Sequence, residues 1–310
     1  MIYVDLKGRI GNQLFIYAFA ENLRQKRKRN ETIIFNDYHI LQLHWKNSLE
    51  DYKIVNVLFD HSKYLPFGMM VRSIMMKLTY HIACRSDYRG KYLVENRFKK
   101  LWSLIGIVAC QNGFVNIPIS TRKNIYVSGY FQSPSYFSNY NQSICDTLRL
   151  TNEIEGLKNP DIEKIKIRNT VCVSIKVEHN VDNPIYDVCG GDYWERAINY
   201  ITERVEKPLF FICSDNVEYV KSHLIDTQKY DIICQDKSLP VHLSLAIMGL
   251  CKHFIIGNTS FGWWAQHMSK YSNKIVIVPK PWTRVDIPVD IYEDNMIIMD
   301  VSNFIKNERK

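Results

Sequence analysis

The chain has 310 residues, of which 46% are hydrophobic and 23% are charged, and its formal net charge is +8. This composition is typical of a globular protein with about two domains, and it excludes a disordered or fibrous chain. No apolar run reaches the roughly 18 residues of a membrane span. No alternation of aromatic and basic residues resembles a nucleic-acid-binding module, so we expect no nucleic-acid partner.

The eight cysteines are scattered along the chain and form neither a CxxC pair nor a zinc-ligand spacing. Cys172 and Cys213 lie inside apolar runs, where we expect them to pack as small hydrophobic residues. No signal peptide is recognisable at the start, which indicates reduced thiols in the cytoplasm. The sequence therefore predicts no metal site.

The first third of the chain begins like a β-α unit. Residues 1–6 predict a strand, 8–12 a glycine turn and 13–28 a helix, because apolar residues recur there at helical spacing. Further strands are predicted at 33–35 and 125–131. Between about 40 and 120 the pattern is irregular, except that residues 65–84 predict a basic amphipathic helix, which either packs on the core or rests on a membrane surface.

From residue 171 onward, strands and helices alternate regularly. Apolar runs predict strands at 171–175, 209–213, 230–234, 254–256 and 274–278, with helices at 193–203, 217–224, 241–251 and 261–269. Strands made of continuous Val, Ile and Phe that alternate with helices indicate a parallel sheet covered on both faces. We therefore predict two α/β domains, residues 1–155 and residues 156–310.

Ligands of such sheets bind beyond the carboxyl ends of the strands, so the loops that follow the strands are the candidate sites. The first loop contains Gly8, Arg9, Gly11, Asn12 and Gln13. Its glycines let the backbone turn sharply near a ligand, and the helix that follows offers free N–H groups. A purely structural turn is the alternative interpretation.

Two further loops belong to the second domain. Asp215, which follows Ser214 at the end of a predicted strand, either accepts hydrogen bonds from sugar hydroxyls or caps the next helix, and spacing favours the cap. In the third loop, Thr259 and Ser260 begin a helix in a manner that suits a phosphate group. The alternative is a capped helix with two tryptophans packed in the core.

Four segments of the chain resemble the α-1,2-fucosyltransferases of glycosyltransferase family 11. Residues 8–18 are similar to the opening GGLGNQxFxYA, 129–132 to GYFQ, 214–216 to FSDD and 251–264 to CKHxIIxNSSFSWW. The resemblance implies a GT-B-like α/β fold with two facing Rossmann-like domains. It also implies inverting transfer of L-fucose, or a related sugar, from a GDP-sugar to a glycan hydroxyl, with no metal and no cofactor besides this co-substrate.

The family resemblance also assigns roles to residues. The donor is expected to contact two loops of the second domain, one after the strand predicted at 254–256 and one after the strand predicted at 209–213. The acceptor is expected at the glycine loop of the first domain, where Asn12 would lie near the reacting sugar. The donor-binding residues so assigned are Lys176, Ser214, Asp215, Asn258, Thr259, Ser260 and Phe261, and the residues of the acceptor cleft are Gly8, Arg9, Gly11 and Gln13.

One family motif is changed. Where the family carries HxRRxD, whose arginines are expected to hold the diphosphate, this chain has Lys176 in place of the histidine and Glu178 and His179 in place of the arginines. An arginine offers phosphate a planar pair of donors, whereas Glu178 would repel it. Glu178, His179 and Asp182 are all candidates for the catalytic base.

Three interpretations of this change stay open. Lys176 and His179, with Arg9 or Arg284, replace the lost cations; or the donor is another nucleotide sugar, such as GDP-colitose; or the protein binds a glycan or nucleotide without catalysis. The acceptor expected from the family is a sugar of a surface polysaccharide. A lipid-linked acceptor would agree with the basic surface and with a cytoplasmic protein at the inner face of the membrane.

Overall fold

The computed structural model describes residues 1–83, 87–178 and 180–307. The chain divides into two units. The first unit comprises Met1–Thr147 and Val285–Tyr292, and the second comprises Leu148–Arg284 and Glu293–Lys310. The short segment Val285–Tyr292 therefore belongs to the first unit, although most residues of the second unit precede it in the chain. The predicted domain boundary at residue 155 falls inside the second unit.

The first unit contains a five-stranded parallel sheet in the order β3-β2-β1-β5-β4. The strands are β1 (Ile2–Asp5), β2 (Ile33–Asn36), β3 (Val57–Asp60), β4 (Ile107–Cys110) and β5 (Ile125–Gly129). The helices are α1 (Ile10–Arg27), α2 (Tyr38–Gln42), α3 (Phe67–Ile82), α4 (Tyr88–Ile105) and α5 (Asn141–Leu148), of which α5 ends at the first residue of the second unit.

The second unit contains a six-stranded parallel sheet in the order β11-β10-β9-β6-β7-β8. Its strands are β6 (Thr170–Ile175), β7 (Leu209–Ser214), β8 (Asp231–Cys234), β9 (His253–Ile256), β10 (Val276–Lys280) and β11 (Met296–Asp300). Its helices are α6 (Thr151–Glu155), α7 (Pro160–Ile167), α8 (Gly191–Thr202), α9 (Val217–His223), α10 (Val241–Met248), α11 (Ser260–Met268) and α12 (Ser302–Asn307).

Two parallel-sheet, Rossmann-like units confirm the predicted GT-B-like α/β class. The predicted packing roles are also confirmed: Trp263 and Trp264 are fully buried, as is Cys172, and Cys213 is 3% exposed. Residues 40–83 and 87–120, which showed no regular pattern, form regular elements as well. They contain β3, α4 and β4, and the two strands escaped prediction because each has only four residues.

The predicted amphipathic helix is α3, and it packs on the sheet through Met69, Ser73 and Met76. The last residue of the predicted range, Cys84, lies outside the described residues. Within residues 1–83, 87–178 and 180–307, the structure has no helix long and apolar enough to cross a membrane.

Candidate functional site

In the second unit, three of the predicted site loops follow strands that are neighbours in the sheet. Strand β6 lies between β7 and β9, and all three are parallel. The loop with Lys176 follows β6, the loop with Asp215 follows β7, and the loop with Asn258 follows β9. Because the carboxyl ends of parallel strands meet at one edge of a sheet, the fold brings these three loops together.

Asp215 connects two of these loops. Its Oδ1 accepts a hydrogen bond of 2.7 Å from the main-chain N–H of Val177, while Oδ2 is buried and has no hydrogen-bond partner within the described residues. The predicted helix cap at this position is wrong. Asn216 caps α9, because its side chain accepts from the N–H of Tyr219, and the hydroxyl of Ser214 accepts from the N–H of Asn216.

Asn258 connects the third loop to the first. It is 8% exposed, and its Oδ1 accepts a hydrogen bond of 3.0 Å from Nδ2 of Asn180. Its own Nδ2 donates to the carbonyls of Tyr186 and Trp282 at 2.9 and 3.0 Å. Both ends of the amide are therefore occupied, and Asn258 holds together three loop segments. Asn180, which sequence reasoning missed, is its partner in the loop after β6.

Helix α11 begins at the same edge, as predicted. Thr259 is the N-cap, and its hydroxyl accepts from the N–H of Gly262 at 3.0 Å. Within the described parts of the chain, the N–H groups of Ser260 and Phe261 have no acceptor, and both residues are half-buried. Two free N–H groups and the positive end of the helix dipole suit an anion.

The residues that replace the family arginines lie in different environments. Lys176 is half-buried beside the end of β6, whereas Glu178 is exposed to solvent. His179, a predicted catalytic residue, lies outside the described residues. Asp182 has a left-handed backbone, with φ of +61°, and its N–H donates to the carboxylate of Asp187 at 3.0 Å. The backbone here makes a tight turn anchored by Asp187.

Arg284 is the other partner of this turn. Its main-chain N–H donates to the carbonyl of Ile185 at 2.9 Å, its Nε donates to the carbonyl of Asp187, and its Nη2 lies 3.9 Å from the Asp187 carboxylate. The guanidinium also lies 5.8 Å from the ring of Phe304. Arg284 therefore anchors the loop after β6, which argues against its use as a replacement phosphate-binding cation.

In the first unit, the glycine loop joins β1 to α1. Gly8 has φ of +68°, and a Cβ there would collide with the side chain of Asn12, so this position requires glycine. Asn12 accepts a hydrogen bond of 2.7 Å from Gln132, which joins the first and second family motifs. Gly11 is buried in the first turn of α1.

Gln13 is fully buried, and its amide is occupied. Nε2 donates to the carbonyls of Gly8 and Lys46, both at 2.9 Å, and Oε1 accepts from the N–H of Ser48 at 2.8 Å. Gln13 thus fixes the glycine loop to segment 46–48 rather than offering its side chain to a sugar. Arg9 is exposed and lies 5.7 Å from the ring of Trp45.

A further polar group at the carboxyl edge of this sheet was missed by sequence reasoning. One oxygen or nitrogen from each of Asp37, Glu50 and His61 lies within 4.8 Å of the others. Asp37 follows a predicted strand, so the rule that ligands bind at carboxyl ends could have identified it. His61 follows β3, which had no sequence signal. The hydrogen bond to Asp37, and then its charge, raises the pKa of His61 above 6.5.

Taken together, two Rossmann-like units with polar loops at the carboxyl ends of their parallel strands define a GT-B-like glycosyltransferase architecture. A model of the family described as "Glycosyl transferase family 11" matches residues 1–296, and the chain belongs to this family. The family predicted from the sequence motifs is therefore confirmed, and the protein is a glycosyltransferase.

Two curated relatives come from Escherichia coli. The O-antigen biosynthesis glycosyltransferase WbnK is 22% identical over 303 residues, which cover 91% of this chain and 94% of the relative. An alpha-1,2-colitosyltransferase is 24% identical over 290 residues, which cover 91% and 92%. Among solved structures, the fucosyltransferase NodZ from Bradyrhizobium matches 85% of this chain and 91% of its own length, with 13% identity and a TM-score of 0.49.

Proposed function

We propose that this glycosyltransferase transfers L-fucose, or a closely related deoxy sugar, from a GDP-sugar to a hydroxyl of a surface-polysaccharide glycan, with inversion at the anomeric carbon. Membership of family 11 supports the reaction class. The two curated relatives support the pathway, since one is named for O-antigen biosynthesis and the other for colitose transfer. The finer assignment of the donor rests on the second unit.

The Asp215 carboxylate carries the donor assignment. One of its oxygens fixes the loop after β6, and the other is buried and lacks a partner within the described residues. A buried carboxylate oxygen without a donor is costly, and a ribose or sugar hydroxyl would satisfy it. The free N–H groups of Ser260 and Phe261 begin α11 at the same edge of the sheet and would accept a phosphate.

The charge of the leaving diphosphate would be balanced without a metal. Lys176 lies at the carboxyl end of β6, and the N-terminus of α11 lies at that of β9, the neighbouring strand. These groups would stabilise the departing diphosphate while an acceptor hydroxyl attacks the anomeric carbon from the opposite face. We therefore propose the nucleotide sugar as the co-substrate, with no further cofactor.

The proposal specifies the type of reaction but leaves two candidates for the donor sugar, fucose and colitose. Glu178 stands where the family carries an arginine, and the relative named as a colitosyltransferase uses a sugar different from fucose. GDP-fucose and GDP-colitose share the nucleotide and the diphosphate, so the loops of the second unit would hold both. A different nucleotide, or binding without transfer, is the alternative.

Calorimetric titration with GDP, UDP and CMP tests this assignment, followed by transfer assays with GDP-fucose and GDP-colitose on galactose-terminated acceptors. The proposal expects selective GDP binding that weakens in Lys176→Ala but not in Lys221→Ala, a lysine on the exposed face of α9. Tight UDP or CMP binding with none to GDP would assign another donor. Binding of GDP without transfer to any acceptor would favour a non-catalytic relative.

We also propose that the first unit lies on a membrane surface, where a lipid-linked acceptor would be presented. Helix α3 packs inward through one face, and its opposite face carries an apolar stripe. We define the α3–α4 surface as this stripe and the exposed leucines of α4. Its residues are Phe67, Met70, Val71, Ile74, Met75, Leu78 and Ile82 on α3, and Leu93, Leu101 and Leu104 on α4, with exposures between 37% and 78%.

The charges on these two helices match an anionic lipid surface. Lys77 on α3, and Arg97 and Lys100 on α4, are exposed, whereas the one acidic residue of the two helices, Glu95, is fully buried. An apolar stripe with basic neighbours and no exposed acid is typical of a helix that lies in the membrane interface. The proposal commits to an anionic bilayer as the partner of the α3–α4 surface.

A further inference from the structure

Asp37, Glu50 and His61 converge at the carboxyl edge of the first sheet. Strands β2 and β3 are parallel neighbours whose last residues are in register, and Asp37 and His61 directly follow those residues. Glu50 lies in a 3₁₀ turn, Ser48–Asp51. One nitrogen or oxygen atom from each of the three side chains lies within 4.8 Å of the others. Three chain segments therefore present one imidazole and two carboxylates to the same place.

This set of side chains suits a divalent transition-metal ion, and zinc in particular. Zinc binds histidine nitrogen and carboxylate oxygen at about 2.0–2.2 Å, usually as a tetrahedron, so its ligand atoms are about 3.3–3.5 Å apart. Nδ1 of His61 lies 2.8 Å from Oδ1 and 3.0 Å from Oδ2 of Asp37. The pair would have to separate by only about 0.5 Å to admit the ion. The two carboxylates would neutralise its charge.

Asp37 is a buried anion that lacks a permanent cation. Its side chain is fully buried, and its hydrogen-bond partners are Asn47 and His61. Within residues 1–83, 87–178 and 180–307, no lysine or arginine pairs with this carboxylate. Buried charges in proteins are paired or coordinate metals. The side chain of His61 is 60% exposed, so an ion can reach the pair from solvent.

Asn47 orients both carboxylates from the protein side. Its Nδ2 donates to Oδ2 of Asp37 at 2.8 Å and to Oε1 of Glu50 at 3.4 Å. Asn47 is 2% exposed, and its Oδ1 accepts from the N–H of Leu49 at 3.1 Å. Carboxylates that bind metals are held by hydrogen bonds of this kind. The oxygen of Asp37 that Asn47 does not bind, Oδ1, is also the one nearest to His61.

The segment 46–48, which contains Asn47, connects this group to the glycine loop. Its main chain forms two hydrogen bonds with the buried amide of Gln13, of 2.9 and 2.8 Å. The same amide donates to the carbonyl of Gly8 at 2.9 Å. An ion that joins the residues on both sides of this segment would therefore restrict the motion of the glycine loop.

We propose that Asp37, Glu50 and His61 bind one zinc ion, which fixes the glycine loop of the first unit. The ion replaces the proton between His61 and Asp37, and that proton passes to solvent. Water provides the fourth ligand. The role is structural, since all three ligands belong to the first unit and the transfer proposed above needs no metal. The sequence predicts no metal site because these ligands are far apart in the chain and include no cysteine.

Zinc binding is measured by calorimetry on the full chain, after treatment with a chelator and without nucleotide. The variants His61→Ala and Glu50→Gln each remove one ligand at an exposed position, so the fold should persist. The matched controls are His39→Ala on α2 and Glu163→Gln on α7, both exposed. The unaltered protein should bind one equivalent of zinc. Each ligand variant should weaken this binding at least about tenfold, and neither control should change it.

Two further measurements distinguish this site from zinc bound elsewhere, for example by cysteines. Cobalt in a four-ligand site absorbs visible light far more strongly than the hydrated ion, and this absorption should be lost in both ligand variants. Zinc should also slow the hydrogen exchange of peptides that cover residues 8–13 and 46–51. The slowing should be absent in His61→Ala, because the ion no longer joins the two sides of the segment.

The proposal is wrong if the unaltered protein binds no zinc, or if both ligand variants bind zinc as well as it does. A cation that is lost in Glu50→Gln and kept in His61→Ala would also overturn the proposal, because carboxylates alone would then hold it. The result does not depend on the proposed function, since neither donor nor acceptor is present. GDP binding, which we propose for the second unit, should be the same with zinc and with a chelator.

Discussion

Oδ1 of the half-buried Asp215 accepts a hydrogen bond of 2.7 Å from the main-chain N–H of Val177, so the loop after β7 fixes the loop after β6. Val177 lies between Lys176 and Glu178, two of the three residues at which this chain departs from the family motif. The side chains of both residues therefore project from a backbone that is anchored between them.

Asp215→Ala is predicted to weaken GDP binding about tenfold to a hundredfold, because it removes the acceptor offered to a hydroxyl and releases the loop with Lys176. Loss of the bond to Val177 should also lower the free energy of unfolding by about 1 kcal/mol. Calorimetry and urea unfolding measure the two effects. Asp192→Ala removes an exposed aspartate on α8 and should change neither quantity. Unchanged GDP affinity in Asp215→Ala would remove this residue from the donor site.

Glu178→Arg restores an arginine at a position where the family motif has one. Glu178 is exposed, so the substitution should not disturb the fold. Replacing a like charge by an opposite charge near the diphosphate should tighten GDP binding about three- to tenfold, a modest gain because solvent screens exposed charges. The gain should shrink as salt rises from 50 to 500 mM.

The control for this variant is Glu163→Arg, which introduces the same charge on α7. If both variants tighten GDP binding equally, the effect comes from net charge rather than from the loop. If Glu178→Arg has no effect at low salt, position 178 does not face the diphosphate, and the sequence alignment with the motif is wrong at that point.

The second unit was predictable because its strands are continuous apolar runs with helices between them, and this pattern has few alternatives. The first unit was less predictable. Strand β3 is an edge strand of four residues, of which Leu58 is 57% exposed, so neither a buried run nor a clear alternation marks it. With β3 unidentified, the position of His61 at the end of a strand was also unidentified.

The candidate site was predictable in its location but not in its internal bonds. The motifs located the loops, yet they did not distinguish residues that hold the loops from residues that are offered to a ligand. Gln13 and Asn258 belong to the first kind, because every polar atom of their amides is bonded within the protein. Asp215 holds Val177 through one oxygen, and we propose that its second oxygen, which has no partner within the described residues, is offered to the donor. Such bonds depend on tertiary contacts that a sequence pattern does not contain.

The α3–α4 surface predicts binding to anionic vesicles. Ile74→Ser with Leu78→Ser removes two exposed side chains from the centre of the stripe and should lower the partition coefficient at least about tenfold, since a buried side chain of this size contributes about 1.5–3 kcal/mol. The partition coefficient is measured by co-sedimentation with vesicles of phosphatidylcholine and about 30% phosphatidylglycerol. The matched control, Val55→Ser with Leu58→Ser, removes exposed apolar residues elsewhere in the same unit. If both double variants lose vesicle binding equally, or if the unaltered protein does not bind vesicles, the membrane proposal is wrong.

Glu95 on α4 predicts a pH-dependent stability of the first unit. It is fully buried; its Oε1 accepts from Tyr80 and from the N–H of Gln111, and its Oε2 has no partner in the described chain. Burial raises the pKa of Glu95 to about 7. The folded state therefore binds this proton more tightly than the unfolded state, and the stability it contributes is fully present below pH 4.5 and is lost as the pH rises through 7.

Glu95→Gln removes the titration and should flatten this dependence. At pH 8 the variant should unfold with a free energy about 1–3 kcal/mol higher than that of the unaltered protein, and at pH 5 the difference should be small. Hydrogen exchange of peptides covering residues 94–111 reports on this region at both pH values. Glu163→Gln, an exposed substitution on α7, should leave the profile unchanged. A pH dependence that survives in Glu95→Gln would mean that Glu95 stays ionised in the folded protein and that its unpartnered oxygen is satisfied from elsewhere.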